Sequence, residues 1–220
     1  MATLQDILIT DELERRRPRD PDYRAEASAY RMLAALLSTN NSTAILQKLS
    51  ELALALCDAH SAGVSVLEHE NGDSMFRWRG LAGCWAHYRN GGLPRNLSPC
   101  GVVVDMNRTL LVQRPGRHFP PVAQAEPELV EGLLTPFLIL GQPVGTVWVL
   151  SHDEERRFDR EDARIIEGLA GFAAATFMLM ETLSGAIDAR DELARSHARL
   201  LQSNDRLWAR INTPQAEALT

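Results

Sequence analysis

The stretch Leu129 to His152, LVEGLLTPFLILGQPVGTVWVLSH, is the most apolar run of the chain. Glu131 and several Gly and Pro residues interrupt it, and it holds no run of about twenty apolar residues, so we predict no membrane span. It divides at Gly141-Gln142-Pro143 into two halves rich in β-branched and aromatic residues, each as long as one strand. Because the apolar character is nearly continuous, we predict a central hairpin covered on both faces.

Helices and further strands flank this hairpin in the sequence. Apolar positions recur at helical spacing before residue 60, and Asn-Gly in the 70–73 region predicts a tight turn between two strands. Ser98-Pro99 predicts a helix that begins with Ser98 as its N-cap. The predicted order is two helices over 25–37 and 42–60, strands at 64–67, 75–81 and 110–113, the central hairpin, and a long helix from about Arg160.

The last part of the long helix carries a seven-residue repeat, predicted over 183–212. Such a repeat is typical of a short two-stranded coiled coil and therefore predicts a homodimer. A solvated or self-packed helix is the alternative, because some of these positions are polar. The two series are Ala186, Leu193, Leu200 and Leu207, and Leu183, Arg190, His197, Asn204 and Ile211.

Composition limits the possible partners and the compartment. The chain has 23 Lys and Arg against 29 Asp and Glu, and this net charge of −6 argues against binding to nucleic acid. No secretory signal is present, and three cysteines favour a reducing cytoplasm over a disulfide framework. The six histidines show no metal-ligand spacing, so we predict no metal site. Residues 1–24 are expected to form a flexible arm and residues 213–220 a disordered tail.

Two segments carry a resemblance to a known family. ELVEGLLTPFLILGQPVGTVWVLSHD and RRFDREDARIIEGLAGFAAATF, together with SPCG at Ser98 to Gly101, resemble the GAF domain family. The similarity is closest to the GAF modules of bacterial sensor histidine kinases and indicates a sensory domain over 25–182. It implies an α+β fold with a central antiparallel sheet of five or six strands. Helices would pack on one face, and the last helix would extend into the coiled coil.

The resemblance also implies a small-molecule pocket on the other face of the sheet, under segments 83–95 and 114–126. Its ligand is not identified by the sequence. The same residues could instead fill an ordinary core. Those that map to the wall are Trp85, Leu97, Cys100, Val104, Leu111, Phe119, Leu134 and Trp148, with polar groups from His87, Arg117 and His118.

Three functions are compatible with these features. The resemblance implies a non-catalytic module that binds a small molecule, or senses redox state, and signals through dimeric helices to a partner such as a histidine kinase of a two-component system. A ligand-free dimeric adaptor is the second. The third is a thiol enzyme using Cys100, because a helix N-terminus lowers a thiol pKa and CGVVVDMNRTLLV resembles the free methionine sulfoxide reductases. That family's further cysteines are absent from 111–131, so an oxidised intermediate would lack a resolving thiol.

Overall fold

The structure is a computed structural model that describes residues 2–39, 41–70 and 72–212. The predicted disordered tail at 213–220 lies outside the described residues. The chain forms two compact units, residues 1–178 and 179–220. The α-helices of the described residues are α1 (Leu4–Ile7), α2 (Glu12–Arg15), α3 (Tyr23–Leu37), α4 (Ser42–Leu56), α5 (Pro99–Met106), α6 (Pro120–Ala123) and α7 (Arg160–Asn212).

The first unit is built on one antiparallel sheet, which has six strands in the described residues. Along the sheet the strands follow the order β3-β2-β1-β6-β5-β4. The predicted central hairpin is β5–β6 and is confirmed, although Leu140 and Gly141 make the turn, with φ of 49° and 80°. The strands are β1 (Ser61–Glu70), β2 (Asp73–Gly83), β3 (Gly92–Pro94), β4 (Leu110–Gln113), β5 (Glu131–Ile139) and β6 (Gln142–Ser151).

The alternation of side chains along the strands divides the core into two clusters, one on each face of the sheet. On the first face, α3, α4 and the start of α7 cover strand residues such as Val147 and Val149. On the second face, α5 and the connecting loops cover residues such as Leu134 and Trp148. The predicted α+β fold, with an antiparallel sheet of six strands and a long C-terminal helix, is therefore confirmed, although α5 adds a helix to the second face.

The N-terminal segment (residues 2–22) is packed within the first unit, which corrects the prediction of a flexible arm. Ile7 is buried among the residues of the second face, and Leu8 forms an antiparallel bridge with Val112 of β4. The guanidinium of Arg16 binds the buried carboxylate of Glu131. The sequence gives no local sign of this contact, because the partner of Arg16 lies 115 residues further along the chain.

Helix α7 begins at Arg160, as predicted, because Asp159 caps it. The Asp159 Oδ1 accepts hydrogen bonds from the N–H groups of Glu161 (2.7 Å) and Asp162 (3.1 Å), while the Asp159 N–H donates to Asp162 Oδ2. Residues 179–212 continue as helix and expose Leu193, Leu200 and Leu207. No described helix combines the length and apolarity that crossing a membrane requires.

Candidate functional site

A small cavity of about 30 Å³ lies on the second face of the sheet, under the N-terminus of α5. Such a volume admits a water molecule or two, whereas ligand pockets usually span about 300–1,000 Å³. The described residues that line the cavity are mainly apolar and aromatic, and none is charged. They are Trp78, Trp85, Leu93, Ser98, Pro99, Cys100, Val122, Leu129, Leu134, Trp148 and Leu150.

The structure brings together only part of the predicted pocket wall. Trp85, Cys100, Leu134 and Trp148 line the cavity. Val104 and Phe119 are buried in the same cluster. The pocket thus lies on the predicted face of the sheet, beneath α5 and the two predicted loop segments.

The predicted polar groups do not reach this cavity. His87 is exposed, and its Nδ1 lies 2.9 Å from the carbonyl oxygen of Cys84 in its own turn. The His118 ring contacts the Ala2 carbonyl through Nδ1, at 2.9 Å, so it meets the N-terminal segment. Arg117 and Leu97 are exposed at the surface.

Leu111 is a wrong assignment, because it faces the other way. It is fully buried with the residues that contact the helices, whereas its neighbours Leu110 and Val112 face the cavity side. Side chains alternate between the faces of a strand, so an error of one position moves a residue to the opposite core. The apolar run Leu110 to Val112 contains no polar residue that would fix this parity from sequence.

Trp85 stands at the centre of an aromatic cage. The ring centroid of its indole lies 6.3 Å from Trp78, 5.9 Å from Tyr88, 6.2 Å from Trp148 and 5.6 Å from His152. The indole Nε1 donates a hydrogen bond to the carbonyl oxygen of Pro127 at 3.0 Å. Trp85 therefore fills much of the space between α5 and the sheet.

A hydrogen-bond network of Ser61 and His152 holds the Trp85 backbone. The Trp85 N–H donates to Ser61 Oγ at 3.0 Å, and Ser61 Oγ lies 2.8 Å from His152 Nε2. His152 Nδ1 lies 2.8 Å from the Glu128 carbonyl oxygen, which requires a proton on Nδ1 and assigns Nε2 as the acceptor from Ser61. Burial lowers the pKa of His152, which favours this neutral ring.

Sequence reasoning missed this network. Neither Ser61 nor His152 is among the predicted site residues. The first residue of β1 and the end of β6 are neighbours because these strands pair antiparallel, with Ser61 opposite Leu150. This pairing of distant segments gives no local signal in the sequence.

Cys100 occupies the first turn of α5, as predicted, with its N–H bonded to the Ser98 cap at 3.2 Å. Its thiol is buried beside Ser65, with Sγ 3.9 Å from Ser65 Oγ, which also accepts the Trp148 Nε1–H at 2.8 Å. Burial raises the pKa of the Cys100 thiol, and the hydroxyls of Thr146, Ser98 and Ser65 offset this only in part. The expected lowering by the helix N-terminus is therefore wrong, because desolvation outweighs it.

Other candidate chemistry is sparse in the described part of the chain. No group of three or more His, Cys, Asp or Glu side chains there is arranged to hold a metal ion. A cleft of about 690 Å³ lies between the N-terminal segment and α7. Its arginines are engaged by carboxylates, for example Arg160 with Glu14 and Arg164 with Glu161. The cavity around Trp85 is the better candidate because its lining is mainly apolar and aromatic and carries no charged side chain.

Comparison with known proteins identifies the fold. The family model described as "GAF domain" matches residues 39–178. The chain is similar to the GAF domain of a phosphoenolpyruvate-protein phosphotransferase from Coxiella burnetii, with a TM-score of 0.61 and 12% identity over 75% of this chain and 99% of that chain. No curated protein matches the chain significantly.

Two further solved structures represent different uses of the fold. The second GAF domain of DevS from Mycobacterium smegmatis has a TM-score of 0.54 and 16% identity, over 66% of this chain and 99% of that chain. The free methionine-R-sulfoxide reductase from Neisseria meningitidis, solved in complex with its substrate, has a TM-score of 0.57 and 16% identity, over 76% of this chain and 97% of that chain. At these identities the likeness is one of fold alone.

Proposed function

This chain belongs to the GAF domain family, and we propose that it is a non-catalytic regulatory module whose cavity around Trp85 receives a small molecule. The bound state would be passed to the C-terminal helix and from there to a signalling partner. GAF domains are commonly sensory or regulatory, and the proposal assigns that role to a defined place in this molecule.

The proposal rests mainly on the position of β6, whose side chains line the cavity on one face of the sheet and contact the core of the other face. Trp148 and Leu150 of β6 line the cavity. The alternating residues Val147 and Val149 pack in the core that contains Ile166 and Leu169 of α7. A ligand that shifts β6 on the cavity side therefore changes the packing of α7 on the other side.

The connection from β6 to α7 is also tightly held. Phe158 is fully buried, and its N–H donates to Glu131 Oε1 at 2.7 Å. The Arg156 guanidinium binds Asp162 Oδ2 at 2.7 Å, within the first turn of α7. Because the segment between β6 and α7 is held by these contacts, a movement at the end of β6 would also move the start of α7. The ligand must bind two arrangements of α7 with different affinities for this to act as a signal.

The output would pass through a second copy of the chain. Leu193, Leu200 and Leu207 recur every seven residues along helix 179–212 and are 71%, 66% and 53% exposed. Exposed apolar residues at this spacing are typical of the seam of a two-stranded coiled coil. We propose a parallel homodimer that acts on a signalling protein, for which a histidine kinase is one candidate.

The buried thiol of Cys100 supports a non-catalytic role. A nucleophilic cysteine must be a thiolate and must be accessible, and burial opposes both. The reductase alternative would use this same residue. The three cysteines, all free thiols in the structure, are in keeping with the cytoplasmic location that we propose.

A ligand-free adaptor is the second candidate, and the volume of about 30 Å³ favours it. Native mass spectrometry of the protein purified from cells separates the two. A dimer with an added small mass that is lost on unfolding supports the regulatory module. A dimer without added mass supports the adaptor. A monomer would refute the proposed route of output through paired helices.

A further inference from the structure

Of the three tryptophans that line the cavity, Trp85 is the one that lies outside the sheet. Trp78 and Trp148 lie within β2 and β6, where the sheet holds their backbones on neighbouring strands. Trp85 belongs to a 3₁₀ helix of five residues, Cys84–Tyr88, outside the sheet. Gly83, with φ of 82°, precedes it and provides a turn that other residues rarely adopt.

Two hydrogen bonds join Trp85 to residues outside its own 3₁₀ helix, and only the side-chain bond must break for the ring to leave the cage. One joins its N–H to Ser61 Oγ and the other joins its Nε1–H to the Pro127 carbonyl. Removal of the ring would open the space between Trp78, Tyr88 and Trp148. It would also leave the carbonyl of Pro127 without this donor and able to accept a hydrogen bond from the incoming molecule.

The lack of charged side chains in the described wall of the cavity limits the class of ligand that can bind there. Among the described residues that line the cavity, none is charged. A carboxylate, phosphate or ammonium group placed there would lose its hydration without gaining a counter-ion. The aromatic walls instead favour flat rings in tilted or edge-to-face contact.

We propose that the ligand is an uncharged, planar aromatic molecule of about the size of indole, which displaces the Trp85 ring and donates a hydrogen bond to the Pro127 carbonyl. This inference rests on the proposed function, since it specifies the ligand of the same cavity. The Trp85 ring is then a tethered competitor. Only chains in which the Trp85 ring has left the cage can bind the ligand. The apparent affinity is therefore the intrinsic affinity multiplied by the fraction of such chains.

The test uses indole as the probe and isothermal titration calorimetry as the measurement. Trp85→Ala should bind one indole per chain, at least about tenfold more tightly than the wild type, because the competitor is gone. Indole-3-acetate has the same ring with a carboxylate and should bind at least about tenfold more weakly than indole. Trp208→Phe, at an exposed tryptophan on helix 179–212, is the matched control and should behave as the wild type.

Three results would overturn the proposal. They are a folded Trp85→Ala variant that does not bind indole, equal affinity for indole and indole-3-acetate, and an equal gain of affinity in Trp208→Phe. If Trp85→Ala does not fold, the wild type labelled with ¹⁵N at its four tryptophan indoles serves instead. Saturating indole should shift the Nε1–H signals of Trp85 and Trp148 and leave that of Trp208 in place, and unchanged Trp85 and Trp148 signals would refute the inference.

Failure of this inference is distinguishable from failure of the proposed function. A charged molecule found on the protein purified from cells would refute the ligand class and leave the regulatory function intact. Indole binding that changes no amide hydrogen exchange in α7 would refute the relay and leave the ligand class intact. Indole binding with a changed exchange in α7 would support both.

Discussion

Arg16 and Glu131 form a two-pronged ion pair, with Nη1 to Oε1 at 2.8 Å and Nη2 to Oε2 at 2.9 Å. Glu131 is 2% exposed and also accepts the Phe158 N–H, while Arg16 Nη1 donates to the Phe158 carbonyl at 2.6 Å. One carboxylate thus ties the N-terminal segment, the first residue of β5 and the entry to α7 together. A paired buried charge is costly to leave without its partner.

Arg16→Ala should therefore lower the free energy of unfolding by about 3 kcal/mol, since it leaves Glu131 charged and buried. Urea unfolding measures the change. Arg15→Ala removes a neighbouring arginine whose side chain is 71% exposed and should cost less than about 0.5 kcal/mol. Adding Glu131→Gln to Arg16→Ala should recover part of the loss, and equal losses in the two arginine variants would contradict the account.

Gly63 lies opposite Trp148 in the β1–β6 pair, and a Cβ at Gly63 would stand 2.3 Å from Trp148 Cζ2. Gly63→Ala should cost about 1–3 kcal/mol, because the indole must move within a packed core. Gly171→Ala is the control, since an added Cβ on this exposed helical residue meets nothing within 4 Å. It should stabilise the protein by about 0.5–1 kcal/mol through helix propensity. Urea unfolding followed by tryptophan fluorescence tests both, and a neutral Gly63→Ala would disprove the close contact.

His152 should make stability depend on pH. Burial lowers its pKa in the folded state below the ordinary value of 6.5, so the unfolded chain binds this proton more readily. Stability should be unaffected by His152 above about pH 7 and should fall as the pH drops through about 6.5, levelling off below the folded pKa. Two titratable groups lie near the His152 ring. The His60 ring stacks on it with a centroid distance of 6.0 Å, and Asp153 lies beside His60.

Urea unfolding between about pH 7 and about pH 5 tests this dependence, because most carboxylates titrate lower. His152→Gln should flatten the slope, whereas His197→Gln, at an exposed position on helix 179–212, should keep it. A slope that persists in His152→Gln would assign the dependence to another group.

Thiol reactivity should distinguish the three cysteines. Cys84 is exposed, whereas Cys57 and Cys100 are buried and burial raises the pKa of both thiols. With a chromogenic disulfide reagent, one cysteine per native chain should react quickly and release one equivalent of coloured thiolate. The other two cysteines should react only when the protein unfolds. Cys84→Ser should abolish the fast phase and Cys100→Ser should retain it. Fast reaction of Cys100 would instead favour a redox-sensing or enzymatic role.

The proposed dimer depends on the seven-residue repeat of helix 179–212. Leu200→Asp places a charge in the predicted seam and should convert a dimer to a monomer in analytical ultracentrifugation. Ala198→Asp adds the same charge at an exposed position two residues away, outside both repeat series, and should leave the dimer intact. Dissociation of both variants, or of neither, would contradict pairing through this seam.

The sequence predicted what is encoded locally. The Gly-containing turn between β5 and β6, the Ser98 cap of α5 and the start of α7 at Arg160 all follow from residues within a few positions of each other. The strand β3 was missed because three residues, Gly92–Pro94, carry too little periodicity to detect. Their strand geometry comes from pairing with β2.

The candidate site was predicted less completely, because burial and face depend on tertiary structure. Of the residues that the family resemblance maps to the pocket wall, Trp85, Cys100, Leu134 and Trp148 line the cavity, and their role in binding stays a prediction. Leu111 was assigned to the wrong face, and the sign of the pKa shift of Cys100 was wrong because the depth of its burial could not be known. The link between Ser61 and His152 joins residues 91 positions apart and leaves no trace in local sequence.

The bridge between Leu8 and Val112 has a practical consequence for shortened versions of this protein. With the Ile9 N–H bonded to the Leu111 carbonyl at 2.9 Å, the N-terminal segment occupies the open side of β4, the last strand of the sheet. A chain that starts at residue 25 would present the unpaired backbone groups of an apolar edge strand to other molecules. Such edges recruit further strands, so we expect the shortened protein to aggregate where the full chain stays dispersed.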